Sequence, residues 1–263
     1  MNRLSTAAIA ALLPLAALAQ ECSNADFKGV YGALAQGSFI SPPPGIPAGP
    51  TVRVGRVEVD GKGGAAIKAT LSLAGVVLDE DYGGTYAIAP DCSATVTLLI
   101  PFPGVPQPVP FKFTGVLSDE GRQQDIALVE PPGTTVRITL RKQRKPVCSA
   151  SDLTGAYALN MSGATLFQIG YPQGEFSRVG RIEFDGKGAF TATTQASQAG
   201  RPVAEKFGGT YAVDAACTFR ISFSLSLIPD RWNGVIADGG ARAYVMQAAP
   251  AGSAVAGTLT SVQ

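Results

Sequence analysis

Two stretches of this chain, separated by an offset near 125 residues, run in parallel. Val54-Gly55-Arg56-Val57-Glu58-Val59-Asp60-Gly61-Lys62-Gly63 aligns with Val179-Gly180-Arg181-Ile182-Glu183-Phe184-Asp185-Gly186-Lys187-Gly188, and every pair is identical or exchanges one apolar residue for another. A second match sets Tyr82-Gly83-Gly84-Thr85-Tyr86-Ala87-Ile88 against Phe207-Gly208-Gly209-Thr210-Tyr211-Ala212-Val213. An offset this long far exceeds a solenoid period and implies two copies of one domain. Whatever the fold, it must be built twice, and each copy of about 120 residues is long enough for its own core. The expected division is a first domain over 20–140, a basic, proline-ended linker at 141–147, and a second domain over 148–263.

The cysteines obey the same frame, Cys22 matching Cys148 and Cys92 matching Cys217. None sits in a Cys-x-x-Cys pair, so redox and zinc-ribbon readings lose their usual spacing. An even count with one equivalent pair per copy predicts disulfides Cys22–Cys92 and Cys148–Cys217. Each would close a loop of about 70 residues, worth at most roughly 4 kcal/mol in the chain-entropy model.

Residues 1–19 carry Arg3, an apolar run from Ala7 to Leu18, and small residues at Ala17 and Ala19. That is the pattern of a secretory signal peptide. The apolar run is about a dozen residues, whereas a spanning helix needs roughly 20. The expectation is therefore an exported protein, extracellular or periplasmic, without a membrane span.

The chain contains no histidine. A Ser-His-Asp or Cys-His arrangement, a His-ligated metal and a histidine pH switch are all excluded. Lys plus Arg number 21 against 20 Asp plus Glu, and neither copy is a polycation, so nucleic acid is not an expected partner. Paired carboxylates are the enzymatic template that remains open, but no pair stands out. Asp79-Glu80-Asp81 reads as a hairpin end without a counterpart cluster in the second copy. No cofactor and no metal are expected.

Alternation with period two, the signature of half-buried strands, runs through both copies. Phe219, Ile221, Phe223, Leu225 and Leu227 alternate with polar residues, and Ala94, Val96, Leu98 and Ile100 occupy the matching positions in the first copy. Eight strands per copy are expected, joined by tight turns such as Asp185-Gly186 and Ala199-Gly200. Proline-rich excursions at 42–50 and 101–110 mark the first copy alone. Eight antiparallel strands joined by hairpins suit an up-and-down barrel, since closure removes exposed edges; two β-sandwiches are the alternative. The fold class expected is all-β, two tandem antiparallel eight-stranded barrel-like domains.

The early Gly29-Val30-Tyr31 and Gly155-Ala156-Tyr157 resemble the Gly-x-Trp that opens the first strand of calycin-type barrels, the lipocalin and avidin-like group, with Tyr in place of Trp. That resemblance implies a lumen able to bind a small apolar molecule. Tyr31, Tyr86, Tyr157 and Tyr211 fall on the inward face and are the candidate ligand-binding residues. A buried phenol needs a partner, which is either neighbouring backbone or something in a cavity. Asp-Gly-Lys-Gly at 60–63 and 185–188 reads as a hairpin turn, and Arg56 with Glu58 and Arg181 with Glu183 read as solvated pairs on the outer face. The function expected is a secreted, non-catalytic barrel protein that binds a small apolar ligand or serves as a structural module. The alternatives are a lumen-based cyclase or isomerase resembling allene oxide cyclase-like barrels, and a module that contacts a protein partner through its proline-rich loops.

Overall fold

The computed structural model describes residues 21–225 and 228–262. Residues 1–19, where a signal peptide is expected, and positions 226 and 227 of the alternating run lie outside the described residues. The first copy forms β1 (Lys28–Phe39), β2 (Gly49–Asp60), β3 (Gly64–Leu73), β4 (Val76–Ile88), β5 (Ser93–Ile100), β6 (Val109–Ser118), β7 (Gln123–Glu130) and β8 (Thr134–Lys142). The second forms β9 (Thr154–Thr165), β10 (Gly174–Asp185), β11 (Ala189–Gln198), β12 (Arg201–Val213), β13 (Thr218–Phe223), β14 (Asp230–Ala237), β15 (Arg242–Ala249) and β16 (Ser253–Ser261). Each set is a closed antiparallel barrel in simple chain order, β1 pairing with both β2 and β8, and β9 with both β10 and β16. Closure settles barrel over sandwich. No described helix is long and apolar enough to cross a membrane.

Local chemistry explains the turns. Ala74-Gly75 and Ala199-Gly200 are two-residue hairpin loops with both residues at positive φ, the conformation whose twist matches the flanking strands. At the Asp-Gly-Lys-Gly turns a single carboxylate oxygen gathers three backbone donors: Asp60 Oδ1 accepts from the amides of Lys62, Gly63 and Gly64 at 2.7, 3.0 and 2.9 Å. Asp185 Oδ1 does the same for Lys187, Gly188 and Ala189. These amide bonds hold both carboxyl groups below the ordinary aspartate pKa. The outer-face pairs Arg56–Glu58 and Arg181–Glu183 are present and solvated.

Disulfides Cys22–Cys92 and Cys148–Cys217 tie the segment before each first strand to the β4–β5 and β12–β13 turns. A short 3₁₀ turn follows the first cysteine of each pair, at Asn24–Asp26 and Ala150–Asp152. Even irregularities are duplicated, with register shifts between Lys112 and Phe113 in β6 and between Arg231 and Trp232 in β14.

The two barrels share an apolar seam. Leu34, Val52 and Val54 project from the outer face of β1 and β2 against Val235, Ala237, Tyr244, Met246, Ala254 and Ala256 of β14, β15 and β16, forming a buried cluster separate from either lumen. Polar clasps flank it. Ser72 Oγ donates to the Ser253 carbonyl at 2.6 Å, the Gly252 amide to Gly75 at 2.8 Å, and Gln143 Nε2 to the Ile236 carbonyl at 3.0 Å. The basic stretch after β8 is held too: the Gln143 amide bonds the Val30 carbonyl, Arg144 pairs with Asp238 at 2.6 Å, and Lys145 pairs with Asp152.

Two outcomes follow from this architecture. Because the seam is continuous and apolar, the native protein should melt in one calorimetric transition, and Ala254→Asp, which puts a charge into it, should split the melt in two. For the aspartate turns the folded-state pKa is depressed, so their stabilisation is fully present above the ordinary carboxylate pKa and is lost as pH falls through the lowered folded value. The gap in melting temperature between the native protein and Asp60→Asn should accordingly shrink on acidification, which a series of thermal melts from neutral to strongly acidic pH will measure.

Candidate functional site

All four tyrosines singled out from the sequence face inward and are buried, at the barrel ends that carry the disulfides. Their hydroxyls donate to main-chain carbonyls. Tyr31 Oη reaches Gly121 at 2.5 Å and Tyr86 Oη reaches Phe27 at 2.8 Å. In the second barrel Tyr157 Oη reaches Gly240 at 2.8 Å, and Tyr211 Oη bonds Leu153 at 2.9 Å and Ala150 at 3.0 Å. Burial raises the pKa of each. These hydrogen bonds latch the polypeptide that covers each barrel end. Glycine is needed beside the first-strand tyrosines, since Gly29 and Gly155 sit at φ +112° and +85°.

A buried ion pair that the sequence reading does not single out lies deeper in each lumen. Arg53 on β2 and Glu80 on β4 make a two-pronged ion pair, Nε–Oε2 at 2.5 Å and Nη2–Oε1 at 3.0 Å. Arg178 and Glu205 repeat it at 2.7 and 2.9 Å, with side chains only 1% and 5% exposed. Asp79-Glu80-Asp81 is therefore not a hairpin end: it lies within β4, and Glu80 has an equivalent in Glu205. The signal was a charged residue on the apolar parity of a strand, in the same frame in both copies. Burial opposes the Arg53 charge, but the neighbouring Tyr82 and Glu80 raise its pKa above the ordinary value; burial pushes Tyr82 up to about 12.

Around this shared pair the two lumens differ. In the second barrel Arg178 lies over the rings of Phe176, Trp232 and Phe207 at 5.0, 5.5 and 5.7 Å. Phe207, Phe223, Phe190 and Trp232 pack edge-on or stacked against one another. A polar chain continues from there: Trp232 Nε1 donates to Gln247 Oε1, Gln247 Nε2 to Asp230 Oδ1, and Tyr171 Oη to Asp230 Oδ1, each at 3.0 Å. Thr194 and Gln198 add hydrogen bonds to Glu205. That lumen is occupied by its own side chains.

The first barrel has smaller residues where the second has rings. Val59, Ala65 and Leu98 stand at the places of Phe184, Phe190 and Phe223, and Ala33 and Ala35 at those of Leu159 and Met161. A cavity of about 50 Å³ remains, lined by these residues with Val57, Ile67, Ala69, Ile126 and Ile138, and its wall presents only carbon to the space. The proline-rich excursions cover the barrel end remote from the disulfide. They turn Ile46 and Phe102 inward, where Phe102 meets Phe39 and Phe111 at ring-centroid distances of 6.3 and 5.8 Å. The two loops also approach each other at Gly45 and Val105. Pro50 and Pro110, expected within these excursions, belong to β2 and β6.

Outside the lumens, a cleft opens on each side of the seam. One, of about 620 Å³, runs between β3–β4 and β12–β14 and contains Lys68, Asp79, Asp81, Asp214 and Arg220. The other, of about 270 Å³, lies between β1 and β8 on one side and β9, β15 and β16 on the other. It contains Arg137 and Arg242 with Gln36, Asn160, Ser162, Thr258 and Tyr244. Among the described residues no cluster of carboxylates or cysteines could hold a metal ion.

No family model matches this sequence, and no curated protein sequence matches it. Among solved structures, a protein of unknown function from the DUF3598 family of Nostoc punctiforme aligns over 92% of this chain and 100% of its own, at TM-score 0.27 and 13% identity. Isotype 1 transferrin binding protein B from serogroup B Neisseria meningitidis aligns over 90% of this chain and 75% of its own, at TM-score 0.32 and 9% identity. Neither likeness is close enough to transfer a function.

The buried ion pair gives this site its sharpest expected outcome. Glu205→Ala leaves the Arg178 guanidinium buried without its counter-charge and should cost about 3–5 kcal/mol, as removal of one partner of a buried pair does. The double change Arg178→Met with Glu205→Leu should recover most of that loss, and chemical denaturation of the three proteins will measure it.

Proposed function

We propose that the chain is an exported, non-catalytic protein whose first barrel holds a small apolar molecule in its lumen, while the second barrel serves as a solid structural partner. The observation that carries this reading is the contrast between the lumens: one duplicated frame, with its ion pair and end latches kept in both copies, is packed with rings in one and left with a carbon-walled cavity in the other. Dry apolar cavities take up apolar molecules because no water competes for the site. With the proline-rich cover in place, the space suits a ligand of a few heavy atoms; a larger one requires Ile46 and Phe102 to move. Tyr86 lines the same cavity, so the tyrosine latch forms part of its wall.

Binding is favoured over lumen-based cyclisation or isomerisation. The cavity lining contains no carboxylate, and nearby Glu80 is held through both oxygens by Arg53. A contact surface made of the proline-rich loops is disfavoured because their largest apolar side chains turn into the barrel. Export rests on the signal pattern of residues 1–19 together with one disulfide per barrel, since such bonds persist in oxidising compartments.

Xenon tests the cavity directly. Under xenon pressure the NMR methyl signals of Val57, Ile67 and Ile138 should shift saturably and those of Ile182 should not. Ala35→Met and Ala65→Phe, which introduce the residues of the second barrel, should abolish the response without lowering the melting temperature. Native mass spectrometry of the protein from its own host should show an additional small mass that Ala35→Met lacks. A first barrel whose methyl signals ignore xenon would refute the reading.

A further inference from the structure

We propose that the smaller cleft beside the seam, between β1–β8 of the first barrel and β9, β15 and β16 of the second, is a binding site for a compact oxyanion. The site is separate from the lumen and exists only because the two barrels are joined. Arg137 comes from β8 and Arg242 from β15, so each barrel contributes one guanidinium to the same cleft.

The charge balance points to the ligand. Among the described residues neither Arg137 nor Arg242 forms an ion pair, whereas nearby Arg141 pairs with Asp119 and Arg144 with Asp238. The cleft lining contains no carboxylate. The nearest acid, Asp125, is engaged by Gln123 Nε2 and by Thr139 Oγ1. Asp125 keeps its negative charge behind Thr139, so the cleft sets two guanidiniums against one carboxylate; the balance is a positive field, and the planar donor forks suit carboxylate or phosphate oxygens.

Tyr244 backs the cleft floor: it is 1% exposed, and its hydroxyl lies against the Arg242 guanidinium. Asn160, Ser162 and Thr258 complete a rim of groups that can donate to oxygen. The opposite cleft is the internal control: it mixes Lys68 and Arg220 with Asp79, Asp81 and Asp214 and creates no such field.

The test uses the intact two-barrel protein with inorganic phosphate, sulfate and acetate as probes, each titrated against chloride at equal ionic strength and followed by the NMR side-chain signals of the arginines. Saturable shifts at Arg137 and Arg242 with phosphate and sulfate are expected. Arg137→Gln with Arg242→Gln should weaken binding at least tenfold, while Lys68→Gln leaves it unchanged. A matching response to acetate would extend the ligand class from tetrahedral to planar oxyanions. Shifts that follow ionic strength alone, or equal affinity in the double glutamine variant, would overturn the proposal. Because Ala35→Met affects only the lumen, phosphate binding by that variant separates a failure here from a failure of lumen binding.

Discussion

An eight-stranded barrel encloses a space just wide enough for its own side chains, and that limit governs everything inside these two copies. With the strand count and closure the same in both, lumen volume becomes a matter of which inward positions carry rings. The second barrel places Phe184, Phe190, Phe223 and Trp232 there and fills. The first substitutes Val59, Ala65 and Leu98 for the three phenylalanines, keeps a ring, Phe113, at the place of Trp232, and puts bulk at other levels, with Phe39, Ile67, Leu71 and Phe111 where the second has Thr165, Ala192, Ala196 and Asp230. The unfilled remainder collects around Ala33, Ala35, Ala65 and Ala69. A cavity in one copy is thus a packing consequence of divergence after duplication, and it needs no change in topology.

The Arg–Glu pair survived that divergence. Replacing a buried ion pair by apolar residues is often neutral or stabilising, so its presence in both lumens calls for a reason other than stability. Position suggests one. Arg53 on β2 and Glu80 on β4 reach each other across β3, and Arg178 and Glu205 do so across β11. A slip of one residue in any of these strands would turn a charge outward and strand its partner in the lumen. Period-two patterning already opposes a one-residue slip but tolerates one of two residues, and a two-residue slip would carry each arginine past its glutamate, so the pair adds a register constraint that alternation lacks.

Much of this architecture is legible in the amino-acid sequence. Duplication identifies the disulfides, since each copy owns one pair, and alternation marks the strands and the inward tyrosines. Lumen volume is not legible there, because whether Ala65 faces a ring or a gap depends on neighbours brought around by closure. Arg53 and Arg178 escape notice for a different reason: the exposed pairs Arg56–Glu58 and Arg181–Glu183 draw the charged reading, while arginines on the apolar parity pass as neighbours of valine and glycine. The seam leaves a weaker mark. Tyr244-Val245-Met246 and Ala254-Val255-Ala256 are continuous apolar runs, as are Ala33-Leu34-Ala35 and Val235-Ile236-Ala237, the pattern of strands buried on both faces.

The seam joins unlike surfaces, the β1–β2 face of one barrel and the β14–β16 face of the other. Such a heterologous contact has no built-in stop and in principle propagates into a filament. Here both free ends are blunted. On the second barrel the places of Leu34 and Val52 are taken by Asn160 and Ser177, both exposed. On the first, the places of Tyr244, Ala254 and Ala256 are taken by Asp125, Thr135 and Arg137. The replacement is partial: Val54, Val235 and Met246 of the seam have the apolar, exposed counterparts Val179, Val116 and Ala127 on the free faces, so those faces are interrupted by polar groups rather than stripped of apolar ones. The same replacements put Arg137 and Asn160 at the edge of the seam, in the cleft that also holds Arg242, with Asp125 behind Thr139.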